Sequence, residues 1–146
     1  MVVQFDPSLL SASLALGKAM HQESRYKNMG FSESKITQLL TNPNCFCALA
    51  KSGENYIGFV LGLIQESWFC EEKIGFDLGL YVLPEYRGKS LAALRLIQSF
   101  ERHCKSKGCS QISLSSSASI FEEKALRLYE KLGYIKCGFT TYKNFN

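Results

Sequence analysis

The amino-acid sequence predicts an α/β (α+β) fold, in which one mixed sheet is flanked by helices. Two observations lead to this prediction. The chain has 146 residues, of which 46% are hydrophobic and 21% charged, as expected for one folded domain. Segments whose apolar residues recur at every second position alternate with segments of helical period, which predicts both strands and helices. We therefore expect a single domain over residues 1–146.

The first half of the chain is predicted to form a strand, two helices and a strand hairpin. Residues 2–5 are a short strand, and residues 9–26 have a loosely helical pattern. Residues 31–40 form a second helix, which Ser32 or Ser34 caps and the Asn-Pro pair at 42–43 ends. Residues 44–51 and 56–66 are strands, because the Ser-Gly-Glu-Asn segment at 52–55 is typical of a hairpin turn.

The second half alternates strand and helix more clearly. Residues 74–82 alternate between large apolar residues and other residues, which predicts a strand. Residues 90–106 form a helix that Gly108 ends, and residues 112–115 form the next strand. A further helix begins at Ser119, whose spacing from Glu122 fits a capping box, and Gly133 ends it. Two final strands are predicted at 134–137 and 139–143.

Charge, cysteine content and hydropathy argue against several classes of function. The net charge of +4 suits an anionic ligand, but no dense basic cluster indicates a nucleic-acid partner. The six cysteines and two histidines lack the spacing of a metal site, so we expect no metal and reduced, buried cysteines. No apolar run is long enough for a membrane span, and no signal-peptide pattern is recognisable. We expect a cytoplasmic protein without a membrane partner.

The most informative segment is 80–93, where a strand passes through a short loop directly into a helix. The N–H groups at a helix N-terminus lack intrahelical partners and attract anions. Arg87 and Lys89 add positive charge there, and Gly88 allows a ligand to approach the backbone closely. This turn is suited to a pyrophosphate group.

These residues resemble the coenzyme A-binding motif of the GNAT family of N-acetyltransferases, Arg/Gln-x-x-Gly-x-Gly/Ala. The motif here reads Arg87-x-x-Ser90-x-Ala92 and follows a family-like Leu-Tyr-Val-x-Pro-Glu-Tyr segment at 80–86. The segment Ala-Leu-Arg-Leu-Tyr-Glu-Lys-Leu-Gly-Tyr at 125–134 is similar to the family's Ala-x-x-Phe/Leu-Tyr-Glu-x-x-Gly-Phe/Tyr element. One helix and one strand separate the two segments, as in that family. The resemblance covers residues 74–140.

The resemblance implies an enzyme that moves an acetyl group from acetyl-CoA to an amine by direct attack in a ternary complex. It also implies a mostly antiparallel sheet in which the strands at 74–82 and 109–116 run parallel and splay apart. The main chain of residues 80–82 would bind the thioester carbonyl and the pantetheine, and Tyr129 would protonate the departing thiolate. The implied cofactor-binding residues are Leu80, Tyr81, Val82, Arg87, Gly88, Lys89, Ser90, Leu91 and Ala92.

Two residues depart from the family pattern. Ser90 stands at the first motif glycine, where a side chain predicts tighter geometry around the phosphates. Glu122 stands where the family often has an asparagine that touches the pantetheine arm. Its negative charge suggests that this contact is lost or that Ser119 takes over the capping.

Acetyl transfer needs a neutral amine, so a general base is also expected. Asp77 is the sharpest candidate, because it is predicted to share a strand face with Gly75 and Gly79, whose missing side chains would leave a groove. Glu23 and Glu66 are weaker alternatives, and a base that acts through water is equally allowed.

The acceptor is left open as a small-molecule amine or an amine of a peptide or protein, and a homodimer is also left open. The acceptor pocket is expected near the first two helices and the hairpin. Its candidate lining residues are His21, Glu23, Arg25, Tyr26 and Trp68. The alternative function is a catalytically silent acyl-CoA-binding or partner-binding module on the same fold. A cysteine acyl-enzyme and a nucleic-acid-binding protein are the weaker alternatives.

Overall fold

The computed structural model describes residues 1–116 and 122–145. Its strands are β1 (Val2–Gln4), β2 (Cys45–Ser52), β3 (Asn55–Glu66), β4 (Lys73–Val82) and β5 (Gln111–Ser113). Its α-helices are α1 (Leu10–Glu23), α2 (Glu33–Leu40), α3 (Ala92–Ser106) and α4 (Glu122–Lys131). Short 3-10 turns at Pro7–Leu9 and Pro84–Tyr86 precede α1 and α3. The predicted Ser119 cap lies outside the described residues.

The strands form one sheet in the order β1-β2-β3-β4-β5. The first four strands pair antiparallel, whereas β4 and β5 are parallel and α3 connects them. The parallel pairing joins only three residues of each strand, 74–76 with 111–113, while β4 continues to Val82. The predicted mixed, mostly antiparallel sheet with a parallel strand pair and flanking helices is therefore confirmed.

Apolar residues of alternate position form a core on each face of the sheet. On one face, α3 buries Leu96 and Phe100 against Phe46 and Val60. Two strand glycines let α3 lie close to the sheet. A Cβ atom at Gly62 would lie 2.3 Å from the Phe100 ring, and one at Gly75 would lie 2.3 Å from the Cys104 sulfur.

The opposite face of the sheet is covered by α1 and α2. Leu16 of α1 packs with Leu49, Phe59 and Tyr81, and α2 contributes partly buried leucines at its end. Ser32 caps α2, as predicted, because its hydroxyl oxygen accepts a hydrogen bond from the N–H of Lys35. In the described part of the chain, no helix has the length and apolar character to cross a membrane.

A β-bulge interrupts β4 at Leu78. Gly79 is opposite Leu61 on β3, but the next β3 residue, Gly62, is opposite Asp77, so Leu78 is an extra residue. The prediction that Gly75 and Gly79 share a face is therefore wrong. Gly75 faces α3, whereas a Cβ at Gly79 would meet the Phe59 ring and Met20 near α1. The bulge turns the strand at the position where the predicted base lies.

The prediction of two strands at 134–137 and 139–143 is wrong, since these residues carry no strand in the structure. Gly133 and Gly138 have φ angles of +92° and +63°, which break an extended chain on both sides of the first segment. The apolar side chains of these two segments are also not buried in a core. Ile135 and Phe139 are 90% and 92% exposed, so the alternating pattern has no face to bury.

Candidate active site

Two cavities share β4 as a wall. The first, the α1–α2 cavity, has a volume of about 530 Å³ and meets residues 77–79 of β4. The second, the α3–α4 cleft, has a volume of about 600 Å³ and meets residues 80–82 of the same strand. The bulge at Leu78 lies in the part of β4 that lines the α1–α2 cavity, two residues before the part that lines the α3–α4 cleft. A ligand in each cavity would approach the other across this short piece of strand.

The α3–α4 cleft gathers most of the predicted cofactor-binding residues. Those that line it are Leu80, Tyr81, Val82, Arg87, Gly88, Ser90 and Leu91, together with the predicted acid Tyr129. Lys89 and Ala92 are not among its lining residues. Sequence reasoning missed Lys124, which lines the cleft on the α4 face that also holds Leu128. Its four-residue spacing from Leu128 was the available signal.

The departure at Ser90 has a structural consequence. The Ser90 hydroxyl donates a hydrogen bond to the carbonyl oxygen of Tyr86, 3.2 Å away, and accepts one from the N–H of Ala92, 3.3 Å away. The Ser90 side chain therefore satisfies the N–H of Ala92, the first residue of α3, and this helix starts two residues later than predicted. Gly88 in the same loop has a φ of +72°, a conformation that glycine adopts without strain.

Arg87 joins the cofactor loop to the end of α1. Its Nε donates to the Val82 carbonyl oxygen at 2.7 Å, and its terminal nitrogens donate to the two Glu23 carboxylate oxygens at 3.0 and 2.8 Å. The Tyr81 hydroxyl also donates to the Glu23 carboxylate. The hydrogen bonds from Arg87 lower the pKa of Glu23, although burial opposes them. A carboxylate held in this way is a poor proton acceptor, which weakens the case for Glu23 as the base.

The structure brings the predicted base and the predicted acid together through Ser115. The N–H of Ser115 donates to Asp77 Oδ1 at 2.8 Å, and its hydroxyl donates to the same oxygen at 3.3 Å. The Tyr129 hydroxyl donates to the Ser115 carbonyl oxygen at 3.2 Å. Asp77 lines the α1–α2 cavity, whereas Tyr129 lines the α3–α4 cleft. The predicted base and the predicted acid are thus both linked to Ser115, and each lines one of the two cavities.

The environment moves the pKa values of both groups upward. Burial raises the pKa of Asp77 to about 6, and the hydrogen bonds from Ser115 oppose this rise. Burial and the nearby charge of Asp77 raise the pKa of Tyr129 above that of an ordinary phenol. Near neutral pH, Asp77 is therefore largely ionised and Tyr129 holds its proton. These are the states that a general base and a general acid require.

The residues predicted to line the acceptor pocket, and the alternative bases Glu23 and Glu66, divide into two groups. His21 and Tyr26 line the α1–α2 cavity. Glu66, Trp68, Glu23 and Arg25 are not among the lining residues of either cavity, and Trp68 is 91% exposed. The Arg25 guanidinium lies 4.4 Å from the Tyr26 ring centroid and 4.3 Å from that of Tyr142. Among the residues placed by the structure, no cluster of three or more histidine, cysteine or acidic side chains could hold a metal ion.

Comparison with known families agrees with this arrangement. The model of the acetyltransferase (GNAT) family matches residues 16–134, which is most of the chain. The chain therefore belongs to the GNAT family, and its class is that of GNAT-type N-acetyltransferases. None of the curated proteins has a significantly similar sequence.

Solved structures similar to this chain are acetyltransferases of several kinds. An aminoglycoside acetyltransferase from an uncultured soil metagenomic sample is 18% identical, with a TM-score of 0.79 over 100% of this chain and 98% of that one. The aminoglycoside acetyltransferase AAC(6')-Iy, bound to a CoA bisubstrate analogue, is also 18% identical, with a TM-score of 0.79 over 100% and 97%. A ribosomal-protein-alanine N-acetyltransferase from Brucella melitensis is 17% identical, with a TM-score of 0.76 over 99% of each chain. At these identities the likeness establishes the fold alone.

Proposed function

We propose that this protein is an acetyl-CoA-dependent N-acetyltransferase, which transfers an acetyl group to an amine by direct attack in a ternary complex. One observation carries the proposal. The α1–α2 cavity and the α3–α4 cleft both have β4 as a wall, and Asp77 and Tyr129, which line one cavity each, are linked through Ser115. Two substrates can therefore be held at once, with a proton acceptor and a proton donor at their junction. The similar fold of AAC(6')-Iy, which was solved with a CoA bisubstrate analogue, supports a coenzyme A thioester as one of the two substrates.

The α3–α4 cleft offers apolar side chains and an anion-binding helix N-terminus, both of which suit coenzyme A. Its apolar side chains, among them Leu80, Val82 and Leu128, suit the pantetheine arm. The start of α3 offers backbone N–H groups and the positive end of a helix dipole to the pyrophosphate. Within residues 87–92, we assign the pyrophosphate to the backbone of Gly88, Ser90 and Leu91, which line the cleft. We assign the thioester carbonyl to the main chain of residues 80–82.

In this assignment, Asp77 removes the proton that the acceptor ammonium must lose, directly or through a water molecule. The free amine then attacks the thioester carbonyl carbon, so that a C–N bond forms and the C–S bond breaks. The Tyr129 hydroxyl donates its proton to the departing sulfur, and the nitrogen of the new amide loses its second proton to solvent, from which Tyr129 recovers one. The products are an acetylated amine and free coenzyme A.

The test combines a binding measurement with a turnover measurement. Calorimetry with acetyl-CoA reports the cofactor site, and thiol release with a panel of amines reports transfer. Asp77→Asn should abolish most of the transfer while acetyl-CoA still binds, because Asp77 lines the other cavity. Asp6→Asn is the matched control, since Asp6 caps the turn before α1. Tight binding of acetyl-CoA without release of thiol for any amine would instead indicate the catalytically silent module.

A further inference from the structure

The chemistry of the α1–α2 cavity restricts the amine that it can accept. Its volume of about 530 Å³ is in the range of small-molecule sites. Most of its wall is apolar or aromatic, and its lining residues include Met20, Phe31, Ile36, Phe59 and Leu61. A wall of this kind stabilises an apolar ligand body by removing it from water.

The cavity carries almost no net charge. Among the described residues that line it, Asp77 is the one carboxylate and Lys35 is the one lysine or arginine. Glu23, the nearest acidic residue on α1, is paired with Arg87 and does not line the cavity. The Asp77 carboxylate already accepts two hydrogen bonds from Ser115, so the cavity offers at most one carboxylate partner for an ammonium. A second or third ammonium would lose its hydration without gaining a partner, which is costly in an apolar site.

Aromatic contacts and one polar group shape the inner end of the cavity. A Cβ at Gly17 would lie 3.8 Å from the Phe31 ring, so this glycine leaves room beneath the ring. The His21 and Phe31 ring centroids are 5.5 Å apart. Both ring nitrogens of His21 are shielded from solvent and have no hydrogen-bond partner among the described residues. His21 is thus suited to one neutral polar substituent of a ligand, such as a hydroxyl group.

We propose that the acceptor is a monoamine whose amino group is carried by a compact apolar or aromatic body, of the arylalkylamine type. This inference rests on the proposed function and adds the substrate class. It sets the chain apart from an aminoglycoside or polyamine acetyltransferase, because such acceptors carry several ammonium groups. Asp77 takes the single ammonium, and the apolar wall takes the body.

The first test compares acceptors of different charge. Thiol release with acetyl-CoA is measured for 2-phenylethylamine, tyramine, kanamycin, spermidine and a lysine-containing peptide. We expect kcat/KM for the two aromatic monoamines to exceed that for the others by about 10-fold or more, the size expected for burial of one aromatic ring. A preference for kanamycin, spermidine or the peptide would overturn this inference and leave the proposed function standing.

Equilibrium binding separates the inference from the proposed function. Calorimetry with 2-phenylethylamine and spermidine, in the presence of coenzyme A, needs no turnover. Tighter binding of 2-phenylethylamine supports the substrate class even if no thiol is released, and in that case the proposed catalysis fails alone. Equal or weaker binding of 2-phenylethylamine overturns the substrate class. Failure of acetyl-CoA to bind contradicts the proposed function.

Two matched pairs of variants locate the effect in the cavity. Phe31→Ala should lower kcat/KM for 2-phenylethylamine about 10-fold, whereas Phe69→Ala should leave it unchanged, because Phe69 is 71% exposed and does not line the cavity. Thermal unfolding checks that both variants are folded. If Phe31→Ala has no effect in a folded protein, the apolar wall is not the binding surface.

The second pair changes charge and avoids the buried core. Lys35→Glu places a second carboxylate at the cavity, and Lys27→Glu makes the same change at an exposed residue outside it. Lys35→Glu should raise kcat/KM for spermidine relative to 2-phenylethylamine about 10-fold, and Lys27→Glu should not. Equal effects of the two variants would mean that the local charge of the cavity does not select the acceptor.

Discussion

Removal of the Tyr129 hydroxyl tests whether this tyrosine has a catalytic role or only a structural one. Tyr129 is 6% exposed, and its hydroxyl makes one 3.2 Å hydrogen bond to the Ser115 carbonyl oxygen. Tyr129→Phe keeps the ring and its packing, so the free energy of unfolding should fall by only about 0.5–1.5 kcal/mol, the usual contribution of one hydrogen bond. Loss of a general acid should lower kcat by roughly 10²–10⁴-fold. A 10²-fold loss corresponds to about 2.7 kcal/mol of activation free energy, which is more than the hydrogen bond accounts for.

The assay for this variant is thiol release at saturating acetyl-CoA and acceptor, with calorimetry to confirm that acetyl-CoA still binds. Tyr134→Phe is the matched control, because its hydroxyl also makes one hydrogen bond, to Glu101 Oε1 at 2.8 Å. It should lose similar stability and little activity. The deficit of Tyr129→Phe should also shrink for a thioester with a better leaving group. If Tyr129→Phe and Tyr134→Phe turned over acetyl-CoA equally fast, Tyr129 would be a core residue and the proton would come from water.

The remaining predictions concern Asp77, the Arg87–Glu23 pair and Gly62. The transfer rate should fall as pH decreases through about 6, where Asp77 becomes protonated, and this limb of the pH profile should be absent in Asp77→Asn. Because burial raises the pKa of Asp77 above its ordinary value, the folded state binds the proton more tightly than the unfolded state, and stability from this group is lost as pH rises towards 6. Asp77→Asn should therefore unfold at no lower temperature than the parent at pH 8, and a clearly lower one would contradict this account. Arg87→Ala should weaken coenzyme A binding roughly 10–100-fold by calorimetry. Glu23→Gln should weaken it in the same direction if Arg87 acts by holding the loop, whereas tighter binding would mean that the guanidinium itself contacts the phosphates. Gly62→Ala should cost about 1–3 kcal/mol of stability in denaturant unfolding, because its Cβ would lie 2.3 Å from the buried ring of α3, while Gly30→Ala, with nothing within 4 Å, should be neutral.

The elements that the sequence predicts well are those whose pattern is local. The β2–β3 hairpin and the amphipathic α3 have clear periodicity and clear end signals, whereas the parallel pairing of β4 with β5 was implied by the family resemblance. The two final strands, predicted at 134–137 and 139–143, are absent. Alternation marks a strand only if one face has a core to cover, and Ile135 and Phe139 are exposed. Whether such a face exists depends on the tertiary structure and not on the segment.

The sequence predicted the part of the candidate site that lies in one contiguous motif. It did not predict the contacts between segments that are distant in the sequence. The cofactor residues of the 80–92 segment lie together because a strand, a loop and a helix are contiguous there. The link from Asp77 through Ser115 to Tyr129 joins three elements, and no spacing in the sequence signals it. The bulge at Leu78 was equally hidden, because an extra strand residue is defined only by its partner strand.

The Arg87–Glu23 pair has a consequence for how the two halves of the site act together. These residues are 64 positions apart, and their two hydrogen bonds fix the end of α1 against the loop before α3. Helix α1 forms part of the α1–α2 cavity, and that loop forms part of the α3–α4 cleft. The pair is partly exposed, with side-chain exposures of 21% and 31%, so its charge attraction is screened and contributes modestly to stability. Its fork geometry, however, orients both segments, which an uncharged side chain could not do with the same precision. Arg87 thus connects a wall of the α1–α2 cavity to a wall of the α3–α4 cleft, in addition to the strand β4 that the two cavities share.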